Sequence, residues 1–192
     1  MIKTDRLVIR DFEDTEIDIQ GIYNIFSDIE VNKFLPMFPL TDLKSAKNFY
    51  NEKILPLKES EGFYYAICLL DNDLPIGYLT LSDDDSHDFG YGLMKKYWGM
   101  GIVTEAASAT LNHIATKNLD FITATHDIEN IGSGKVMQNI GMTYKYSYKE
   151  QWQPKDKLVT FRMYQYDFNG VGQTYDKYWH KYPEHFVENI DN

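Results

Sequence analysis

The sequence predicts an α/β fold of the α+β kind, a mixed and mostly antiparallel β-sheet flanked by helices. Three observations predict it. Strand-like segments precede, alternate with and follow helical ones. Two pairs of them, 63–70 with 75–81 and 144–148 with 158–166, read as antiparallel partners. Between the pairs, a strand at 89–94, a helix from about Ile102 to Lys117 and a strand at 121–126 form a central strand–helix–strand unit.

Arg6 to Arg10 reads as the first strand. Residues 14 to 28 carry Ile17, Ile22, Ile25 and Phe26, an apolar helical stripe. Pro36 and Pro39 break that pattern, and Thr41-Asp42 caps a helix that runs towards Leu55 and stops at Pro56. Phe63 to Leu70 is a strand, Asp71-Asn72-Asp73 a turn and Pro75 to Leu81 the returning strand. An acidic loop, 83–88, leads into the strand at 89–94. In the next helix Val103, Ala106, Ala107, Thr110, Leu111 and Ile114 recur at three- and four-residue spacings, and the alanines let it lie close on a sheet. Ser133 to Ile140 reads as a short helix ended by Gly141. Residues 1–168 form one domain and 169–192 a C-terminal extension, in which Tyr175, Tyr178, Trp179, Tyr182 and Phe186 share a helical face disturbed by Pro183. That face packs on its own domain or on a dimer mate.

With 192 residues, 43% of them hydrophobic and 25% charged, the chain can bury one sizeable core and is neither disordered nor collagen-like. Its longest apolar run, Phe63 to Leu70, is far short of the ~20 residues a membrane helix needs. The charged start, Met1 to Arg6, has no apolar secretory signal, and the lone Cys68 excludes a disulfide framework; a cytoplasmic location follows as the expectation. Nineteen basic against twenty-nine acidic residues argue against a general nucleic-acid grip, and favour solubility and cationic partners such as amines. Cys68 lies in an apolar strand and reads as a core thiol. The five histidines show no metal spacing, so no metal is expected.

The segment from Lys96 to Ala106 joins a strand to a helix through Gly99 and Gly101. Two glycines let backbone approach a ligand, and a helix start exposes unpaired N–H groups, the arrangement that binds phosphate. A tight turn before a helix explains the glycines alone equally well. Other phosphate motifs fit worse. Gly132-Ser133-Gly134-Lys135 lacks the P-loop's earlier glycine, where Glu129 stands, and its final hydroxyl residue, where Val136 stands. Gly90-Tyr91-Gly92 has Lys95 where a dinucleotide fingerprint needs its third glycine.

Trp98-Gly99-Met100-Gly101-Ile102-Val103-Thr104-Glu105-Ala106 resembles the acetyl-CoA loop of the GNAT acetyltransferases. It is nearest to the branch of ribosomal-protein serine and alanine N-acetyltransferases and spermidine acetyltransferases. Thr4 to Arg10, Pro75 to Tyr78, Gly90 to Leu93, Glu129 to Ser133 with Val136, and Ile140 to Met142 resemble the same branch, in family order, over roughly residues 4 to 168.

The resemblance implies a splayed sheet in which the strand at 89–94 parts from that at 121–126, with the pantetheine arm of acetyl-CoA in the gap. Backbone N–H groups of Gly99, Met100, Gly101, Ile102, Val103 and Thr104 then hold the pyrophosphate. Trp98 and Lys96 belong to the same loop, Lys96 standing where relatives usually have Gln or Arg. Backbone of Leu93 and Met94 pairs with the pantetheine, Asn130 hydrogen-bonds it, and Ser133 faces the thioester sulfur. Met137 stands where many relatives carry a tyrosine acid, which leaves Ser133 as the acid.

The implied activity is acetyl transfer from acetyl-CoA directly to a primary amine: a protein N-terminus, a polyamine or a small molecule. A base must first take the ammonium proton. Asp88, entering the central strand beside the gap, leads; His87 and His126 come next. For Glu105, in the first helical turn, the helix dipole is explanation enough. The expected partner is the amine acceptor, with no nucleic acid or membrane, in a monomer or homodimer. The alternative is a non-catalytic acyl-CoA-binding module, a sensor or subunit.

Overall fold

The computed structural model describes residues 1–116, 119–170 and 172–190. Its strands are β1 (Ile2–Lys3), β2 (Leu7–Asp11), β3 (Phe63–Leu69), β4 (Pro75–Leu81), β5 (Phe89–Leu93), β6 (Phe121–Asp127), β7 (Thr143–Trp152), β8 (Lys157–Asp167) and β9 (His185–Phe186). Its helices are α1 (Glu16–Phe26), α2 (Ile29–Asn32), α3 (Leu43–Phe49), α4 (Leu55–Lys58), α5 (Ile102–Ile114), α6 (Ile131–Asn139) and α7 (Lys177–Lys181). The strands form two antiparallel sheets, ordered β1-β2-β3-β4-β5 and β6-β8-β7-β9. Among the described residues a single parallel bridge, Asp88 to Thr123, connects them. Beyond it β5 and β6 part, which is the splay the resemblance implies.

Each face of the first sheet buries its own core. On one, Leu7, Ile9, Leu79, Phe89 and Leu93 pack against Ala106, Ala107, Leu111 and Ile114 of α5, where the alanines bring helix and sheet close. On the other, Val8, Tyr64 and Tyr78 pack against Ile22, Ile25 and Phe26 of α1 and Ala46 of α3. Cys68 is fully buried in this second core, and burial pushes its thiol up to about 12, so it is an inert packing group. The β2–α1 junction is fixed by Arg10, whose guanidinium grips the buried Asp18 at 2.7 and 2.9 Å.

Several expectations need correction. In α1 the large apolar side chains that are buried are Ile19, Ile22, Ile25 and Phe26, whereas Ile17 is 57% exposed. Asp42 does cap α3, in a capping box with Ser45, but Pro56 does not stop the chain. A π-helical turn at Tyr50–Ile54 re-phases the helix, so Pro56 falls in the first turn of α4, where its missing N–H costs nothing. The helix predicted to Lys117 ends at Ile114, and Lys117 lies outside the described residues. The helix predicted from Ser133 begins at Ile131, capped by Asn130.

The tail is not one helix. Tyr175, Tyr178, Trp179 and Tyr182 pack around α7 onto Tyr146, Tyr148 and Phe161 of the second sheet. Tyr148 stacks on Tyr182 with ring centroids 4.6 Å apart. Past Pro183 the chain extends, and Phe186 joins β9 opposite Ser147, 38% exposed. Among the described residues no helix is long and apolar enough to cross a membrane.

Candidate active site

The loop from Lys95 to Gly101 turns on two glycines at left-handed φ, +74° at Gly99 and +72° at Gly101. Gly101 is the N-terminal cap of α5 and offers no side chain to the helix. The N–H groups of Ile102, Val103 and Thr104 are therefore first-turn donors without a side-chain cap. Glu105, the acid that could have covered them, is turned away. Its carboxylate accepts from Thr4 Oγ1 at 2.5 Å and from Arg6 Nε at 2.7 Å. Partial burial works against its charge, but these hydrogen bonds and the Arg6 guanidinium hold it below the ordinary carboxylate range. The same guanidinium donates to the Met100 carbonyl at 3.0 Å, so the first strand sets the shape of a loop nearly a hundred residues on. Glu105 thus has a job beyond the helix dipole.

Trp98 closes the loop from the other end, its Nε1 donating to the Leu93 carbonyl at 2.7 Å. Met94 N–H donates to Ile76 and Ser82 N–H to Asp88, which sets the phase of the β4–β5 ladder. Its alternation turns the backbone groups of Phe89, Tyr91 and Leu93 to the gap. Of the expected pair, Leu93 faces the gap and Met94 does not. Met94 and Lys96 line a cleft on the α1 side, where Lys96 Nζ lies 4.8 Å from the Tyr97 ring centroid.

Across the gap, Asn130 caps α6 by accepting from Ser133 N–H at 3.2 Å. The Ser133 hydroxyl donates to the Tyr91 phenol at 3.1 Å, and Tyr91 donates to the Ser133 carbonyl at 2.8 Å. Tyr91 escaped the sequence reading as a site residue. Its phase in β5 was legible; that it reaches the opposite sheet was not. Burial pushes its phenol far up, so it stays protonated. Met137 is 1% exposed in the core and supplies nothing here.

Asp88 stands at the fork itself. Its Oδ1 is inaccessible and has no hydrogen-bond partner. Desolvation, with Asp84 nearby, pushes its carboxyl up to about 7. His87 is half-buried at φ +46° with its ring edge-on to Phe121 at 5.9 Å. His126 is 4% exposed; its Nδ1 pairs with the Asp127 carbonyl at 2.8 Å and its Nε2 has no partner. A Cβ at Gly134 would stand 2.8 Å from that ring, and Tyr164 covers another side at 5.6 Å. Burial holds this imidazole below its ordinary value, so it is neutral and walled in rather than set towards an amine. Among the described residues no group of His, Cys, Asp or Glu is arranged to hold a metal ion.

A family model described as an acetyltransferase (GNAT) domain matches residues 6–143. The chain belongs to the GNAT acetyltransferase family. It is 34% identical over 145 residues to the uncharacterized N-acetyltransferase YnaD of Bacillus subtilis, covering 73% of this chain and 81% of that one. A GNAT-family acetyltransferase from Bacillus anthracis superposes with a TM-score of 0.74 at 25% identity, covering 87% and 98% of the two chains. RimL, a ribosomal L7/L12 alpha-N-protein acetyltransferase solved with coenzyme A, shares the fold at 15% identity, with a TM-score of 0.75 over 88% of this chain and 97% of its own. This GNAT protein is thus an N-acetyltransferase, and its splayed sheets, α5 start without a side-chain cap and Asn130–Ser133 turn lie around one gap.

Proposed function

We propose that the enzyme transfers the acetyl group of acetyl-CoA directly to a primary amine, with Asp88 as base and Ser133 as acid. The observation that carries this reading is the buried, unpartnered Oδ1 of Asp88 at the fork of the two sheets. Gap-facing β5 backbone and the Ser133–Tyr91 hydroxyl pair lie on the same fork. The residues fit the co-substrate: left-handed Gly99 leaves open space beside the loop, and the first-turn N–H groups of α5 suit a pyrophosphate. Asn130 and the Leu93 N–H would hold the pantetheine arm. Acetyl-CoA supplies a thioester carbonyl activated for attack.

Asp88 takes the proton from the ammonium, and a carboxyl near 7 is close to the value at which a base works best at neutral pH. The freed nitrogen bonds to the carbonyl carbon as the carbon–sulfur bond breaks, and the nitrogen's second proton passes to Asp88 once that carboxyl has released the first to solvent. A gap-facing β5 N–H, from Tyr91 or Leu93, hydrogen-bonds the carbonyl oxygen as its charge grows. Ser133 gives its hydroxyl proton to the departing thiolate and is reprotonated from solvent. No covalent enzyme intermediate is needed on this route.

The test is release of free coenzyme A thiol with a panel of amines: peptide N-termini, polyamines, aminoglycosides and small metabolites. Turnover with at least one amine, lost in Asp88→Asn, is expected. Tight acetyl-CoA binding with no thiol release from any amine would instead mark a non-catalytic binder.

A further inference from the structure

The C-terminal extension packs on one particular face of the fork. Phe89 and Leu93 of β5, with Ile122 and Ala124 of β6, turn to the core under α5. Asp88 and its bridge partner Thr123 therefore turn the other way. In β8, Gln165 stands opposite Thr123 and shares that face with Met163. Met163 belongs to the cluster on which Tyr175, Tyr178, Trp179 and Tyr182 pack. The tail and the Asp88 side chain thus lie on the same side of the sheets.

Specific contacts draw the tail over the closed end of the fork. Gln165, fully buried, donates to the Gln173 carbonyl at 3.1 Å and accepts from the Tyr175 N–H at 2.9 Å. The Tyr146 hydroxyl donates to the Tyr175 carbonyl at 2.9 Å. The Tyr175 ring lies 6.0 Å from that of Phe121, at the start of β6. Lys177 pairs with Asp85, in the loop that leads to Asp88. The Tyr178 phenol reaches the buried Ser86 of that loop, and its ring lies 5.4 Å from that of Tyr148. Asp88 faces Asp84 from its own loop, Tyr91 from β5, Tyr148 from β7, and Tyr175 and Tyr178 from the tail. Burial, then neighbouring acidic groups with Asp88 among them, pushes the phenols of Tyr148, Tyr175 and Tyr178 up, so each stays neutral. His87 turns its ring to Phe121, and Lys177 is taken by Asp85. The tail thus brings Asp88 aromatic cover and no counter-charge. Although its Oδ1 is inaccessible, Asp88 as a whole is only partly buried.

We propose that the C-terminal extension completes the active site, with Tyr178 as a positioning residue that seals the closed end of the fork and keeps water from Asp88 on the tail side. The carboxyl's open side is then left to the acceptor amine. The proposal rests on Asp88 as the base of the acetyl-transfer reading above, and gives the aromatic tail a part in the reaction beyond its packing.

The experiment titrates the Asp88 carboxyl in the full-length enzyme without substrate, by carbon NMR of protein labelled at aspartate. The Asp88 signal is identified by its loss in Asp88→Asn. Tyr178→Ala opens the tail side to water, so the carboxyl should titrate well below the parent's about 7, towards the ~3.9 of an open carboxyl. That is a loss of about tenfold or more in proton affinity. Tyr178→Phe keeps the ring and should titrate like the parent. Trp179→Ala removes a larger ring from the same aromatic face, where it packs on Tyr146, and should lower Tm without moving the Asp88 titration. Should Tyr178→Ala not fold, Tyr178→Leu, which keeps apolar packing but falls short of Ser86, should move the titration the same way. A parent-like titration in either folded variant overturns the proposal. So does an equal displacement in Trp179→Ala, which would make the packing of the tail, and not Tyr178, the cause. With any amine that turns over, the acid limb of kcat/KM should move to lower pH together with the carboxyl. If the carboxyl moves and the limb does not, Tyr178 still seals the fork and the choice of Asp88 as base fails.

Discussion

The Ser133 hydroxyl and the Tyr91 phenol meet at 3.1 Å, joining α6 to β5 across the space between the two sheets. Each hydroxyl orients the other, because Tyr91 donates in turn to the Ser133 carbonyl. A positioned acid contributes typically ~10²–10⁴ in rate, and a thiolate needs less help than an alkoxide. Ser133→Ala should therefore lower kcat about 10–100-fold. Tyr91→Phe, which removes only the orienting partner, should cost less. Acetyl-CoA affinity should shift little in either. A Ser133→Ala enzyme with full kcat and poor acetyl-CoA binding would make Ser133 a binding residue.

Asp88 gives a pH signature in both rate and stability. As a base it works when ionised, so kcat/KM should rise with pH through about 7, and Asp88→Asn should remove that limb. The stability sign is opposite to that of a salt-bridged acid. The folded carboxyl holds its proton up to about 7, against ~3.9 when unfolded, so stability falls as pH rises between these values. Asp88→Asn should thus melt higher than the parent at pH 8, with the difference gone at pH 4. A parent-like melting profile for the variant would show that the carboxyl is not strained by burial.

Gly101 takes φ +72°, and a Cβ there would come no nearer than 3.8 Å to any neighbour, Arg6. Gly101→Val should fold, at a backbone cost of about 1–2 kcal/mol. Its branched side chain would stand over the first-turn N–H groups, so the acetyl-CoA Kd should rise at least tenfold by calorimetry. An unaltered Kd in the folded variant removes the loop from the cofactor site.

Arg6 touches the same loop from outside. Arg6→Ala frees the Met100 carbonyl and leaves Glu105 beside the first-turn N–H groups with one partner fewer. Acetyl-CoA binding should weaken several-fold although the residue is argued to act only through the loop. Glu105→Gln, which keeps the shape but drops the charge, should weaken it less. Equal affinity in Arg6→Ala and the parent would deny the clamp its role.

Truncation after Gly170 strips Tyr175, Tyr178, Trp179 and Tyr182 from Tyr146, Tyr148 and Phe161. Scanning calorimetry and dye binding should report a lower Tm and new apolar surface. A truncated chain as stable as the parent would mean the aromatic face contributes nothing to the fold.

What the sequence discloses and what it hides follow physical lines. Pro75 to Leu81 is a strand to the residue, because turn chemistry and apolar content end together there. α6 starts two residues before the sequence pattern puts it, since Gly132 and Gly134 blur the helical pattern before Ser133. In α1 the face was mis-phased at Ile17, an isoleucine that solvent tolerates once Ile19 fills the inner position. The glycine loop and the Asn130–Ser133 turn were readable as local patterns. The Arg6–Glu105 clamp, the Tyr91–Ser133 bond and the Asn32–Lys155 contact were not, because each joins segments distant in sequence and exists only once the sheets are in place.

The short pairing of β9 with β7 bears on how the chain is made. β7 is ten residues long, and its side away from β8 is an open row of backbone donors and acceptors until His185 and Phe186 arrive. Those residues follow β8 in the chain, so the β7–β8 hairpin can form before they are made. During that interval the nascent protein displays an unpaired, tyrosine-rich edge of the kind that templates pairing with another chain. Expression yield, more than catalysis, should therefore be sensitive to stop codons, slow codons or fusions placed between Asp167 and Phe186.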